Sequence, residues 1–331
     1  MRLVSFSRTL FIIGFAGFIG FSCNNELDPQ SPDYVTIPVV YSVLELHRDT
    51  LSVRVTKTFS GLGSALNYAR IEDSVYFPVA TVWLEKWNGD FLVSKAELIK
   101  TDLISRLPGT FLEKPNWNYI LVRSPETEPL FTGSILNQEY HLIVEIPGLP
   151  LIFAKTKAYP SAHLLSPRLS ATINIFLNPL EFAWKTEASY SEMYFKLYYT
   201  DVYPDTTIAR SISWREYHSL EPGKGGTESI FGQDIMKRIV GQVRQDRSVS
   251  YRPVNGFQVV IVGIPADLYE YRLMNQVQPP DQIGFPVTNI INGIGLFTSQ
   301  TINSFDLELD PRSKDSIMIG QYTKHLNFRF Y

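Results

Sequence analysis

Apolar and polar side chains alternate with a period of two over much of the chain after residue 35. Leu51, Val53 and Val55 fall on one side of such a segment, and the polar residues between them fall on the other. This alternation is typical of a β-strand with one buried face. Further strands are predicted in the same way at 79–87, 118–123 and 140–146. Glycine and proline separate these runs, so the first half predicts an antiparallel β-sandwich over residues 35–166.

The second half, residues 167–331, predicts another antiparallel β-sandwich. Strands are predicted at 172–177, 182–185, 193–200, 304–309 and 316–331. The predicted fold class is therefore mainly β, with two sandwich domains in sequence.

Two helices are predicted to interrupt the second sandwich. The first, near 228–243, follows from the four-residue spacing of four apolar side chains: Phe231, Ile235, Ile239 and Val243. The second spans 265–276, because Pro265 at its start is tolerated in the first turn of a helix.

The first apolar run of the chain differs from the others, because it is continuous and lies near the N-terminus. Arg2 and Arg8 precede the apolar residues 10–21, which are followed by Ser22 and Cys23. This layout is that of a signal peptide. The run is also shorter than the roughly 20 apolar residues that a transmembrane helix needs. We therefore predict that residues 1–22 are a signal peptide.

Cys23 is the only cysteine of the chain, and it follows a small residue at the predicted cleavage point. This position predicts a bacterial lipoprotein, acylated at Cys23 by a diacylglycerol and a further chain such as palmitate. Each buried CH₂ contributes about 0.8 kcal/mol, so two or three chains make a durable anchor. Residues 23–34 are polar and are predicted to form a lipidated tether. Gly20 replaces the leucine usual three residues before the cysteine, and an ordinary secreted protein with a chance cysteine is the alternative.

Charge and cysteine content exclude some classes of protein. Loss of residues 1–22 would change the formal net charge from -3 to -5. A mildly acidic chain is not expected to bind nucleic acid, for which a clustered basic surface is typical. A single cysteine permits no internal disulfide and no thiolate metal cluster, so burial of the core must hold the fold together.

No catalytic or metal-binding pattern stands out. The segment 221–227 contains a lysine and three glycines but lacks the spacing of a phosphate-binding loop, so it is predicted to be a plain turn. A Gly-x-Ser-x-Gly motif is absent. The histidines are scattered, without the spacing that places two metal ligands on one helix face: His47, His141, His163, His218 and His325. We predict no enzyme, no cofactor and no metal.

Aromatic residues are the remaining indication of a binding function. Trp83 and Trp87 lie four apart on one predicted strand and so share a face, as do Trp117 and Tyr119. Tryptophan and tyrosine anchor protein interfaces and sugar-binding platforms. Packing in the core is the interpretation that we favour for them, with binding by Trp83, Trp87 and Trp117 as the alternative.

A motif near the C-terminus carries a family resemblance. It comprises Ile264–Leu273 with Tyr269 and Tyr271, then Phe285-Pro286, then Thr288–Phe297 with Asn289, Gly293, Gly295 and Phe297. It resembles the closing motif of the domain of unknown function 4249 family, lipoproteins of Bacteroidota. Asn292-Gly293 stands where the family more often has Gly-Gly, so the chain would be a divergent member. Because glycine permits positive φ or close backbone approach, we predict a structural closure here rather than a catalytic loop.

The resemblance implies immunoglobulin-like or transthyretin-like domains in an envelope lipoprotein that often accompanies TonB-dependent transporters. It implies no reaction. We predict a non-enzymatic outer-membrane lipoprotein, anchored through Cys23, that acts as a binding or assembly component beside a membrane β-barrel such as a transporter, a secretion machine or an assembly machine. One alternative is a surface module that captures a glycan or peptide, and a less favoured one is an envelope hydrolase. The periplasmic and cell-surface sides of the membrane both stay open.

Overall fold

The structure is a computed structural model that describes residues 36–59, 64–132, 138–168, 172–175, 179–275 and 287–331. The predicted signal peptide, Cys23, the predicted tether and Phe285-Pro286 lie outside the described residues. Residues Thr36–Tyr331 belong to one compact unit.

The described residues form seventeen strands and six α-helices. The strands are β1 Pro38–Leu44, β2 Thr50–Lys57, β3 Thr81–Asn88, β4 Phe91–Glu97, β5 Ile99–Thr101, β6 Asn118–Val122, β7 Gln138–Glu145, β8 Ile152–Lys157, β9 His163–Ser166, β10 Leu180–Lys185, β11 Tyr190–Val202, β12 Thr207–His218, β13 Gly225–Ile230, β14 Arg252–Ile264, β15 Ile294–Ser299, β16 Thr301–Asp306 and β17 Phe328–Arg329. The helices are α1 Ala65–Tyr68, α2 Glu72–Val75, α3 Glu128–Phe131, α4 Gly232–Gln242, α5 Ala266–Met274 and α6 Pro311–Ile319. A 3-10 turn spans Lys324–Leu326.

The mainly β prediction is confirmed, with 46% of the residues in strands and 16% in helices. The immunoglobulin-like or transthyretin-like detail stays a prediction. The alternation of Leu51, Val53 and Val55 has its expected effect, since all three side chains are buried on one face of β2.

Two sheets enclose the first hydrophobic core. One has the order β15-β1-β2-β6-β5 and the other β4-β3-β7-β8. Most of the core lies between residues 40 and 158, but Ile290 and Phe297 from the far end of the chain complete it. Strand β15 runs parallel to β1, with Val39 opposite Ile294 and Leu44 opposite Ser299. The first sandwich is therefore neither purely antiparallel nor confined to residues 35–166.

Two further sheets enclose the second core. Their orders are β13-β10-β9 and β12-β11-β14-β16, and β17 pairs with β14. Phe182, Phe195 and Phe257 pack together at the centre, with ring centroids 5.2 and 5.3 Å apart around Phe195. Helices α4 and α6 add Ile239 and Ile317 to this core. A smaller cluster that includes Leu268 of α5 and Leu296 of β15 joins the two sandwiches.

The first predicted helix begins later than its spacing suggested. Residues 225–227 were predicted to end a turn and residues 228–230 to start the helix, but together they form strand β13. Helix α4 covers only Gly232–Gln242. A Cβ atom on Gly226 would lie 2.5 Å from the Trp184 ring, so glycine lets β13 pass over that tryptophan. Phe231 precedes the helix and is exposed, whereas Ile235 and Ile239 are buried as predicted.

The strand predicted at 316–331 is wrong over most of its length. Helix α6 spans Pro311–Ile319 and a 3-10 turn follows it, so only Phe328 and Arg329 are extended. The Asp310 side chain accepts a hydrogen bond from the Ser313 amide, and a proline occupies the first turn. Both features are signals of a helix start. Of the strand predicted at 172–177, residues 176 and 177 lie outside the described part, and Ile173 makes only an isolated bridge to Leu309.

Candidate functional site

The outward side of the four-stranded sheet carries a group of aromatic side chains, which we call the aromatic face: Trp83, Trp87, His141 and Phe153. Strand β3 turns Val82 and Leu84 into the first core, so the alternation along the strand places Trp83 and Trp87 on the opposite side. His141 on β7 and Phe153 on β8 have the same orientation. All four are half-buried.

The two tryptophan side chains are held by neighbouring residues. The Trp87 ring stacks on His141, with centroids 5.3 Å apart, and its Nε1 donates a hydrogen bond of 2.9 Å to Glu85 Oε2. His141 in turn meets Phe153 edge-on at 5.2 Å. Lys95 Nζ lies 4.6 Å from the centre of the Trp83 ring. Such contacts fix the rings in place, which lowers the entropy lost when they bind a partner.

A row of charged side chains crosses the aromatic face from strand to strand. Lys95, Glu85, His141 and Lys155 lie opposite one another on β4, β3, β7 and β8. Lys95 Nζ is 3.0 Å from Glu85 Oε1. Without His141, the row therefore holds two lysines and one glutamate, an excess of one positive charge.

His141 is the least satisfied member of the row. Its Nε2 is buried and has no hydrogen-bond partner among the described residues, and the Glu139 carboxylate is 3.6 Å away. A buried polar atom without a partner is costly.

The sheet ends at β4, which pairs only with β3. Three consecutive apolar side chains on this edge strand are exposed: Phe91, Leu92 and Val93. Phe91 has 79% of its surface exposed. An exposed apolar edge strand is a template on which another chain can pair, and soluble proteins usually protect such edges.

A buried lysine supports the site from the inner side of the same sheet. Lys86 Nζ donates to the carbonyl of Pro129, in the first turn of α3, at 2.9 Å and also to the carbonyl of Thr132, which follows the helix. Burial lowers the pKa of Lys86 below its ordinary value. Tyr140 donates a hydrogen bond of 2.6 Å to the Leu130 carbonyl of the same helix. These bonds fix α3 against β3 and β7, and a lysine among apolar residues in β3 was the available sequence signal.

Trp117 lies away from the aromatic face. It precedes β6, its Nε1 donates a hydrogen bond of 2.7 Å to Glu72, and Lys100 Nζ lies 4.9 Å from its ring centre. Only Tyr119 of this pair enters the first core. Packing in the core, the interpretation favoured from the sequence, is therefore wrong for Trp83, Trp87 and Trp117, because none of them belongs to a core cluster.

The motif that carries the family resemblance joins distant parts of the chain. The Asn289 side chain donates to the Phe297 carbonyl at 2.7 Å and accepts from the Phe297 amide at 2.9 Å. Gly295 has φ +119°, and a Cβ atom there would lie 1.9 Å from the Val40 carbonyl oxygen. On Gly293 it would lie 3.0 Å from the Pro38 carbonyl oxygen. These residues allow β15 to seat against β1 and bury Phe297.

The two tyrosines of the motif pack at the junction between the sandwiches. Tyr269 stacks on Tyr190 with centroids 3.8 Å apart, and Tyr271 lies 5.5 Å from Tyr41. Their contacts fix helix α5 and bring no catalytic group with them. The second predicted helix is present as Ala266–Met274.

The described residues contain no group of three or more histidine, cysteine, aspartate or glutamate side chains that could hold a metal ion. Four of the five histidines are exposed and lie apart, and His141 is the half-buried one. No helix in the described ranges has the length and apolarity needed to cross a membrane.

Comparisons with known proteins add little to this description. No family model matches the chain, and no curated protein matches it. Among solved structures, a bacterial ice-binding adhesin of 1.5 MDa, studied for its retention at the host cell surface, gives 8% identity over 83% of this chain, with a TM-score of 0.18. A DUF4785 family protein from Legionella pneumophila gives 14% identity over 72% of this chain, with a TM-score of 0.21. The chain spans 65% and 58% of those two chains.

Proposed function

We propose that this protein is a non-enzymatic lipoprotein of the outer membrane that binds a protein partner through the β4 edge and the adjoining aromatic face. The observation that carries the proposal is the exposed apolar edge of β4. An edge strand binds an extended segment through its main-chain groups, and neighbouring side chains select the segment. Trp83 lies opposite Glu97 of β4, so the aromatic face begins directly beside this edge.

The composition of this surface suits a protein partner. Tryptophan, methionine and other large side chains are enriched at the centres of interfaces, and a polar rim surrounds them. Here Trp83 and Trp87 are held by contacts within the sheet, and the charged row lies between them. A glutamate flanked by basic groups can select a partner with complementary charges and reject others.

A membrane β-barrel, such as a TonB-dependent transporter or an assembly machine, is the partner that we propose. This choice follows from the predicted acylation of Cys23 and from the family resemblance. A lipid anchor confines the protein to the membrane surface, which raises the effective concentration of a membrane partner without any new contact.

Site-specific photo-crosslinking in the native outer membrane tests this proposal. A photoreactive amino acid at Val93 is expected to yield one dominant adduct whose added mass is that of a barrel protein. The control places it at Leu220, which is exposed (74%) but lies on the second sandwich. An adduct at both positions, or none at Val93, would contradict the proposal.

Glycan or peptide capture is a second candidate, which the incomplete burial of Trp83 and Trp87 favours. Aromatic side chains stack on sugar rings, and a bound sugar would alter tryptophan emission. Titration with a panel of envelope glycans separates the two candidates. A saturable emission change that disappears in the Trp87→Phe variant would support capture, and an unchanged emission across the panel would exclude it for that panel.

A further inference from the structure

The described chain begins at one end of the first sandwich. We call it the tether end and define it as residues 36–37, 57–59, 64–73 and 99–117. The pairing of strands brings these segments together. Pro38 lies opposite Lys57, and Thr101 lies opposite Asn118, so the start of β1, the end of β2, the end of β5 and the start of β6 point the same way. The antiparallel register of β2 and β6 links the two pairs.

Side-chain and backbone contacts hold these segments to one another. Phe59 meets Tyr68 of α1 with ring centroids 6.3 Å apart. The Leu112 amide donates to the Ala69 carbonyl at 2.9 Å. Asn116 accepts a hydrogen bond from Arg54 and donates one of 2.7 Å to the Ile104 carbonyl. The tether end is thus an ordered surface within the described residues.

This surface exposes an unusual number of large apolar side chains: Ile37, Leu66, Ile71, Leu103, Ile104, Leu107 and Phe111. Leu103 and Leu107 are 85% and 86% exposed, the highest values among the leucines of the exposed apolar set. A contiguous apolar patch on a protein surface marks a site for a partner or a membrane.

Basic side chains lie among the apolar ones. The Arg106 guanidinium is 4.8 Å from the centre of the Phe111 ring, and Lys100 Nζ lies over Trp117. The tether end has five basic residues, Lys57, Arg70, Lys100, Arg106 and Lys114, against four acidic ones, Glu72, Asp73, Asp102 and Glu113. One of the acids, Glu72, is bonded to Trp117. Long basic side chains and tryptophan beside exposed leucine are typical of groups that lie at a bilayer interface.

The second sandwich lies at the opposite end of the first. The Gln300 amide donates to the Leu44 carbonyl at 2.9 Å, where the chain passes from β15 into β16. Leu44 is the last residue of β1, whereas the tether end lies before its first residue. Among the described residues, the second sandwich therefore leaves the tether end open.

We propose that the tether end lies flat on the membrane, with Leu103 and Leu107 inserted among the lipid headgroups. The proposal rests on the proposed lipid anchor at Cys23. Twelve residues, 24–35, separate that cysteine from Thr36, and twelve residues extend to at most about 40 Å. A connection of this length keeps Thr36, and with it the tether end, within about 40 Å of the lipid.

The test uses the chain from Asn24 with an N-terminal histidine tag, which retains the whole compact unit Thr36–Tyr331. The tag binds it to vesicles of phosphatidylethanolamine and phosphatidylglycerol that contain a nickel-chelating lipid, so the test does not depend on acylation. This chain has no cysteine. Leu107→Cys therefore supplies one thiol for a fluorophore that brightens in an apolar environment, and Leu220→Cys is the matched control.

We expect the label at position 107 to brighten at least twofold with a blue shift on vesicle binding, and the label at position 220 to stay unchanged. Adding Leu103→Asp should abolish most of the response at position 107. Equal responses at the two positions, or none at position 107 while the protein floats with the vesicles, would overturn the proposal. The lipid anchor is tested separately by fatty-acid labelling of the full chain. No label on the native chain, or a label that persists in Cys23→Ser, would refute the anchor and leave the vesicle result unaffected.

Discussion

The two sandwiches use the same residue types in opposite ways. In the first, Trp83, Trp87 and Trp117 are half-buried on outward surfaces, whereas in the second Trp184 and Trp214 are buried in the core. The ion pairs differ in the same direction. Glu85 and Lys95 pair on an outward face, but Arg252 of the second sandwich is almost fully buried.

The buried arginine joins the second sandwich to the C-terminal segment of the chain. Arg252 Nε donates to Asp201 Oδ1 at 2.7 Å, and its other nitrogens donate to the Leu326 carbonyl at 2.7 Å and the Arg244 carbonyl at 3.0 Å. A buried charge that is fully bonded fixes one arrangement of the chain. This difference is consistent with our proposal that the first sandwich binds the partner and the second supports it.

The largest expected effect on stability comes from replacing one tryptophan in each of the two sandwiches. Trp184→Ala should lower the free energy of unfolding by about 3–5 kcal/mol, as for other large buried aromatic residues. Trp87→Ala should lower it by only about 1 kcal/mol, since this ring is half-buried. Urea unfolding of both variants measures the difference. Equal losses would mean that the aromatic face is a second core.

The joint between β1 and β15 in the first sandwich is tested by Gly295→Ala. The new Cβ would clash with the Val40 carbonyl in a backbone conformation that alanine rarely adopts, at a cost of about 2–3 kcal/mol. When thermal unfolding is monitored by hydrogen exchange, protection of the backbone amides should be lost first in β1 and β15. Gly241→Ala is the control, because nothing lies within 4 Å of its added Cβ. A native-like exchange pattern in β1 would refute this role for Gly295.

Asn289→Ala should have a smaller effect at the same joint. It removes both hydrogen bonds to the Phe297 backbone, each contributing about 1 kcal/mol. Chemical denaturation should therefore show a loss of about 1–2 kcal/mol. Asn289→Asp keeps the acceptor and should recover part of the loss. If the two variants are equally unstable, the acceptor bond contributes nothing.

The smallest effect is expected in the second sandwich, from Glu216→Gln. Burial raises the pKa of Glu216 above its ordinary value. Ionisation is therefore less favourable in the folded than in the unfolded state, so stability falls as pH rises through the folded-state pKa. The variant cannot ionise and should be more stable at about pH 7, by less than about 1 kcal/mol because the group is partly solvated.

The difference should vanish below about pH 4, where both states of the native residue are protonated. Thermal unfolding across this range provides the measurement. A stabilisation that persists at low pH would point to packing rather than to charge. Glu270→Gln on the surface helix α5 serves as the comparison variant.

Local pattern predicted the strands better than their partners. The alternation of Leu51, Val53 and Val55 was sufficient for β2, because burial of one face imposes that period. The same rule placed Trp83 and Trp87 on one face but could not tell the inner face from the outer one. That choice depends on Val82 and Leu84, which meet side chains of the opposing sheet far away in sequence.

Other features were outside the reach of local pattern. Strand β1 pairs with β15, which lies about 250 positions later in the sequence. Tertiary packing selects this partner strand. Strand β13 was missed because its glycines indicate a turn, whereas here they make room for Trp184. Helix α6 was missed although Asp310 and Pro311 mark its start. The exposed edge at β4 emerges only when the order of the strands is known.

The parallel pairing of β1 with β15 also determines the order in which the molecule can be completed. The chain is made from its N-terminus, so β1 exists long before residues 294–299 are available. Until they arrive, one side of β1 has no partner strand and the position of Phe297 in the first core is empty. Closing so long a loop is slow. The first sandwich is therefore completed only after residues 294–299 have been made, although most of its residues are synthesised first.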